Sequence, residues 1–269
     1  LPKLMLINGV NYHVETHSSG EPLVLLHGFS GRSQNWGAHL PVLASHFTVI
    51  RIDLLGHGRT ESPADPTRYA VESAAADLIA ILNALNLPSV YMLGYSMGGR
   101  LALYTALKYP QRINHLVLES ASPGLKTDAE RAARIAQDEA LAARIETEGI
   151  EAFADYWTDL PLFATQSPEV RQRLHHQRLY NNPLGLANSL RGMGTGAQPS
   201  LWNALPALEI DTLLLCGTLD AKFSAINTEM HTLIPRSTLV TIPGAGHTIH
   251  ADHPQRFQTE VLRFLAETR

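Results

Sequence analysis

The sequence predicts an α/β fold: a mostly parallel, eight-stranded sheet with helices on both faces and a helical cap inserted late in the chain. Three observations carry this. Between residues 22 and 118, short wholly apolar runs alternate with helix-forming stretches, the rhythm of strands covered on both faces. That rhythm stops over residues 122–206 and resumes at Thr212. The apolar runs end in loops rich in glycine and carrying Ser, His or Asp, and parallel sheets gather ligands at the carboxyl ends of their strands.

Residues 4–7 and 10–16 alternate around Asn8-Gly9, the signal of a two-residue hairpin. Residues 22–26 form a short apolar strand ending in His27-Gly28-Phe29-Ser30-Gly31. Ser33 or Asn35 is placed to cap a helix through Trp36, Leu40, Leu43 and Ala44. Residues 47–54 are the next strand, closed by Gly56-His57-Gly58. An Ala- and Leu-rich helix spans 71–87 and stops before Pro88. Residues 90–93 feed a serine turn, 101–109 leave it as a helix, and 113–118 form another strand. In the cap, Thr127 or Asp128 caps a long helix, Gly149 and Pro161 bracket a short one, and Pro168 starts a third that ends near Asn181-Asn182-Pro183. Strands at 212–216 and 238–242 and an amphipathic helix at 254–266 complete the chain. The expected division is a core of 1–121 and 207–269 with a cap of 122–206.

At 269 residues, 45% hydrophobic and 17% charged, the chain buries a large core without help from disulfides or metals. A net charge of −4 and the absence of any Lys/Arg block speak against nucleic acid. No apolar run approaches membrane-spanning length, so no membrane is expected. The first ten residues are too short and mixed for a signal peptide, and the single Cys216 has no disulfide partner; both fit the cytoplasm.

The chemistry centres on Leu93-Gly94-Tyr95-Ser96-Met97-Gly98-Gly99-Arg100. A serine on a sharp strand-to-helix turn presents its hydroxyl outward, and flanking glycines let neighbouring segments pass close. A hydroxyl is a poor nucleophile and a poor base unless a histidine takes its proton and an acid holds that histidine. Gly217-Thr218-Leu219-Asp220 follows one late strand and Gly244-Ala245-Gly246-His247 follows the last. Ser96, Asp220 and His247 therefore come in the expected order from one edge of the sheet. Separately, Asp220 reads as a loop cap and His247 as a surface residue; together they read as a triad. The oxyanion hole falls to the backbone N–H groups of Met97 and, from the earlier glycine loop, Phe29.

His27 and His57 read as structural, bonding loop backbones. His247, His250 and His253 recur every third position, but Gly246 and Pro254 make the segment loop-like rather than a helical ligand set. No metal and no cofactor is expected. Arg100 sits in the first turn of the serine's helix, where a solvated face is the ordinary explanation. Arg131 and Arg134 share a face of the first cap helix, and Arg178 lies near the end of a later one. The cap carries seven Arg and one Lys against ten acidic residues, so only the placement of particular arginines can select an anion.

These motifs together resemble the α/β-hydrolase family over essentially the whole chain. A narrower resemblance rests on Gly94–Arg100, Glu119-Ser120-Ala121-Ser122-Pro123-Gly124-Leu125, Arg131-Ala132-Ala133-Arg134, and Phe153-Ala154-Asp155-Tyr156-Trp157. Leu160-Pro161-Leu162-Phe163, Arg191-Gly192-Met193-Gly194-Thr195-Gly196 and Asp220-Ala221-Lys222-Phe223 extend it. It is to the 2-succinyl-6-hydroxy-2,4-cyclohexadiene-1-carboxylate synthases of menaquinone biosynthesis.

That resemblance implies a lyase expelling pyruvate from an enolpyruvyl-bearing cyclohexene polycarboxylate, a small-molecule partner. Ser96, activated by His247 and Asp220, would remove a ring proton beside the succinyl carbonyl. Phe29 and Met97 would stabilise the enolate-like oxygen. Arg100, Arg134 and Arg178 would hold carboxylates, Tyr95 and Trp157 would shape the pocket, and Lys222 would lie nearby. The chain departs from the family at His250-Ala251-Asp252-His253-Pro254, where a glutamate more often precedes the proline. A serine hydrolase of the same fold, acting on esters or carbon–carbon bonds, and a non-catalytic ligand receptor are the competing readings.

Overall fold

The chain enters its sheet through a hairpin whose two turn residues, Asn8 and Gly9, both hold positive φ (46° and 82°). This matches the twist of the strands they join, β1 (Pro2–Ile7) and β2 (Val10–His17). The computed structural model describes residues 2–267; residues 1, 268 and 269, which the expected core includes, lie outside them. The remaining strands are β3 (Glu21–Leu26), β4 (Phe47–Ile52), β5 (Val90–Tyr95), β6 (Ile113–Glu119), β7 (Asp211–Gly217) and β8 (Ser237–Ile242). They form one sheet ordered β1-β2-β4-β3-β5-β6-β7-β8. β2 pairs antiparallel with both β1 and β4, and all pairs from β4 to β8 are parallel.

The helices are α1 (Leu40–Leu43), α2 (Val71–Ala84), α3 (Met97–Lys108), α4 (Asp128–Thr158), α5 (Pro168–Arg178), α6 (Pro183–Met193), α7 (Ala221–Leu233), α8 (Ile249–Asp252) and α9 (Pro254–Glu267). Strand alternation sends side chains to two separate cores. Val24, Leu26, Ile50 and Ile52 pack on one face with Leu78 and Ile81 of α2 and Leu101 of α3. Leu23, Leu25, Val49 and Leu93 pack on the other with Trp36, Phe257 and Val261. Among the described residues no helix is long and apolar enough to cross a membrane.

Between β6 and β7 the sheet is interrupted by α4–α6. Thr127 caps α4 with a reciprocal pair of bonds to Glu130, and Gly149 (φ 83°) breaks α4 into the long and short helices that the sequence predicts. Ala142, Ile145, Phe153, Leu186, Ala187 and Leu190 form the insert's own apolar core, and Phe29 and Trp157 pack against it. The insert thus rests on the loop after β3.

Three local expectations change. The helix expected after Ser33 is a 3-10 run, Ser33–His39, leading into α1, and its cap is Arg32 rather than Ser33 or Asn35. Asn35 takes part differently, its Oδ1 accepting the Arg32 N–H at 2.7 Å. Helix α6 is additional, hidden by Gly185, Asn188, Ser189 and Gly192, all poor helix formers. Its glycines are spent on contact: a Cβ at Gly192 would lie 2.6 Å from Tyr69. Helix α7 is likewise additional and begins at Asp220, whose side chain accepts the Phe223 N–H.

Candidate active site

Ser96 follows β5 directly and caps α3 at φ 50°, ψ −109°, a strained conformation for a residue with a side chain. Its N–H donates to Glu119 O and its O accepts from Arg100 N–H, each at 2.9 Å, so strand and helix hold the turn from both sides. Packing explains the glycines. A Cβ at Gly94 would stand 2.4 Å from Gly98 O, and one at Gly98 would stand 2.4 Å from Leu26 O. The end of β3 is thereby brought against the serine turn.

His247, in the loop after β8, and Asp220, in the loop after β7, meet Ser96 at this edge. Asp220 Oδ2 accepts from His247 Nδ1–H at 2.6 Å, and His247 Nε2 lies 3.1 Å from Ser96 Oγ, placed to accept its proton. The carboxylate thus fixes the tautomer that leaves Nε2 basic. Both His247 and Asp220 are buried. Phe223 packs against the His247 ring at a tilt of 58°, with centroids 4.5 Å apart.

Gly28 lies where a Cβ would meet the Tyr95 ring at 2.6 Å and Ser96 Cβ at 3.5 Å, which presses the Gly28–Phe29 backbone against the serine. Met97 N–H belongs to the first turn of α3, which has no intrahelical acceptor and the positive end of the helix dipole. The two expected oxyanion donors, Phe29 and Met97, border the same cavity as Ser96. His27 braces the loop: Nδ1–H donates to Gly28 O at 2.8 Å, and Nε2 accepts from Leu54 N–H at 3.0 Å. His57 Nδ1–H donates to Leu55 O. Burial keeps both rings neutral, lowering His27 and pushing His57 down to about 3.

A cavity of about 200 Å³ opens over the serine and brings together Phe29, Ser96, Met97, Arg100, Arg134, Trp157, Lys222 and His247. Arg100 is buried, and burial lowers it to about 10, with nearby Arg134 adding to the fall. Its Nη1 donates to Met193 O at 2.9 Å and Gln198 Oε1 at 2.6 Å, so this is no solvated helix face. Arg134 Nε donates to Asp138 Oδ1 at 2.8 Å. Burial raises Asp138 above the usual aspartate value despite both arginines. Trp157 packs edge-on to Phe29, centroids 5.1 Å apart. Lys222 Nζ lies 5.8 Å from the centre of the Phe223 ring.

Tyr95 and Arg178 are placed elsewhere. They border a smaller neighbouring cavity of about 30 Å³, shared with Thr248 and His250, and Phe29 borders both spaces. Arg178 Nη1 donates to Thr158 Oγ1 at 2.8 Å and its guanidinium sits over the Phe163 ring. Burial lowers it to about 10. Among the described residues no group of three or more His, Cys, Asp or Glu is arranged to hold a metal. Gln198, Asp138 and Ser189 belong to the neighbourhood; Asp138 could have been found from its place four residues after Arg134 on one helix, whereas Gln198 and Ser189 carry no sequence signal beyond being polar in the cap. The resemblance did mark Met193, Gly194 and Thr195, which line the cavity.

A family model described as the alpha/beta hydrolase fold matches residues 21–254. A protein of Bacillus subtilis (strain 168) named putative 2-succinyl-6-hydroxy-2,4-cyclohexadiene-1-carboxylate synthase is 46% identical over 263 residues, 96% of each chain. The synthase of that name from Enterobacter sp. (strain 638) is 33% identical over 93% of each chain. Among solved structures, MenH from S. aureus superposes with a TM-score of 0.91 at 37% identity, covering 95% of this chain and 98% of that one. A thermophilic esterase from Thermogutta terrifontis reaches 0.88 at 27% identity, covering 100% and 99%. Both neighbours share the fold over nearly their full length, and the level of identity separates them: 46% and 33% to the synthases and 37% to MenH, against 27% to the esterase. This chain belongs to the α/β-hydrolase fold family and, within it, to the 2-succinyl-6-hydroxy-2,4-cyclohexadiene-1-carboxylate synthases.

Proposed function

We propose that the chain is a carbon–oxygen lyase of menaquinone biosynthesis. It eliminates pyruvate from 2-succinyl-5-enolpyruvyl-6-hydroxy-3-cyclohexene-1-carboxylate to give the cyclohexadiene product, and it works in the cytoplasm. The observation that carries the chemistry is the Ser96–His247–Asp220 relay opening into a cavity whose wall holds two arginines, Arg100 and Arg134. An ester pocket has no need of guanidinium groups there; a polycarboxylate does.

His247 Nε2 draws the proton from Ser96 Oγ, and the resulting oxygen removes the ring proton beside the succinyl carbonyl. Negative charge develops on the carbonyl oxygen, where Phe29 and Met97 N–H groups receive it. Collapse of the enolate restores the succinyl carbonyl and runs through the ring alkene: a double bond forms between C2 and C3, the C3=C4 double bond shifts to C4=C5, and the C5–O bond breaks. The enolpyruvyl group departs and, once protonated on its methylene carbon, becomes pyruvate. Asp220 stabilises the imidazolium formed on the way. Arg100 and Arg134 hold substrate carboxylates; Trp157 and Phe29 wall the ring. Arg178 acts on the substrate only if the partition at Phe29 shifts, as when the cap moves over a bound ligand. Lys222 adds positive charge at the rim.

The deciding experiment measures pyruvate release by a coupled NADH assay beside turnover of p-nitrophenyl acetate. Rapid pyruvate release with slow esterase turnover is expected. Strong esterase activity without pyruvate would instead support the serine hydrolase reading, to which the esterase neighbour lends weight.

A further inference from the structure

A second acid–histidine pair lies behind the triad. Glu119, the last residue of β6, is wholly buried, and His250, at the start of α8, is 3% exposed. The Glu119 carboxylate accepts the His250 N–H at 2.9 Å and, with both oxygens at 2.9 Å, the His250 Nδ1–H. The same residue accepts Ser96 N–H through its backbone oxygen. One residue therefore holds the serine's amide by its main chain and, by its side chain, a residue three positions past the catalytic histidine.

The surroundings make this link stiff. His250 O accepts from His39 Nε2–H at 2.9 Å, and His39 Nδ1 accepts from Gln258 Nε2–H at 3.1 Å. Trp36 lies 4.6 Å from the His250 ring. Tyr95, next to Ser96, packs against both imidazoles, 5.5 Å from His247 and 4.8 Å from His250, and its hydroxyl lies 3.1 Å from Thr248 Oγ1. The tie matters because β6 and β7 stand between the serine's strand and β8, which leads to the histidine. Burial alone gives no reason for a polar pair here, since apolar side chains fill such a space at equal or better stability.

We infer that Glu119 and His250 form a positioning pair: they fix the histidine loop to the serine strand and so set the distance between Ser96 Oγ and His247 Nε2. Neither touches substrate in this role. The inference rests on the proposed use of Ser96 and His247 as the base.

The test compares Glu119→Gln, Glu119→Ala and the double variant Glu119→Leu/His250→Phe. Glu119→Gln keeps an acceptor for both His250 donors and should retain kcat near that of the unaltered enzyme. Glu119→Ala releases the loop; kcat for pyruvate release should fall about 100-fold with KM unchanged. The low-field proton resonance of the His247–Asp220 bond should shift or vanish. The double variant fills the space with apolar atoms, melts cooperatively, and should show the same kcat loss, which separates positioning from folding. A folded Glu119→Ala or double variant with undiminished kcat, or one impaired through KM alone, overturns the inference. So does an unchanged low-field resonance. Failure of the unaltered enzyme to release pyruvate overturns the proposed function instead, and the resonance then decides this inference by itself.

Discussion

Arg134 and Asp138 are paired across one turn of α4, Nε donating to Oδ1 at 2.8 Å, while Asp138 Oδ2 is buried without a partner. The carboxylate orients the guanidinium beside the cavity, yet burial raises its pKa in the folded chain. Charged Asp138 therefore costs the fold stability. The cost is absent below the ordinary aspartate pKa and grows as pH rises through the higher folded value. Asp138→Asn should stabilise the protein at pH 7.5, by roughly 2–4 °C in Tm per kcal/mol recovered. Below about pH 4 the gain should disappear. Thermal melts at the two pH values check this, and equal gains at both would refute the assignment.

Arg100 is tied by one nitrogen to Met193 O and Gln198 Oε1 beside the cavity. A charge-assisted contact from it to a substrate carboxylate is worth about 1.5–3 kcal/mol, so Arg100→Ala should lower kcat/KM for the enolpyruvyl substrate roughly 10- to 150-fold. Turnover of p-nitrophenyl acetate, which carries no carboxylate, should change far less. Parallel losses on both substrates would mean that Arg100 only supports the fold.

Gly98 has its hydrogen where a Cβ would press on Leu26 O at 2.4 Å and His27 O at 2.5 Å. Gly98→Ala must move the loop that carries Phe29 away from Ser96. A lost oxyanion donor costs about 100- to 1,000-fold in kcat, and a loss of that order is expected. Steady-state kinetics on the folded variant test it, and an unimpaired kcat would remove Phe29 from the site.

Ser96→Ala takes away the hydroxyl between His247 and the ring proton. We expect kcat for pyruvate release to fall about 100- to 10,000-fold, the usual contribution of a general base, with substrate still bound. Titration of the variant with substrate, followed by intrinsic tryptophan fluorescence from Trp157, should give a Kd near the KM of the unaltered enzyme. Near-normal turnover would show that His247 takes the ring proton directly.

Much of this molecule is local and was therefore legible in the residues. Asn8-Gly9 prescribes its turn because few residues tolerate positive φ, and Thr127 with Glu130 prescribes the start of α4 because first-turn amides need acceptors. Ser96, Asp220 and His247 announce themselves because each lies at or in the loop just past the end of an apolar run, and parallel strands deliver their ends to one edge. What tertiary packing alone decided is longer in range. Glu119 and His250 are 131 residues apart, and neither lies in a pattern that names the other. Arg100 faces Gln198, and Tyr95 and Arg178 fall behind Phe29 in a cavity of their own. Turn chemistry and hydrophobic period act over a few residues and can be read off the chain. Which buried acceptors reach Arg100 and Arg178 depends on how the cap folds over them, and no spacing in the sequence encodes that.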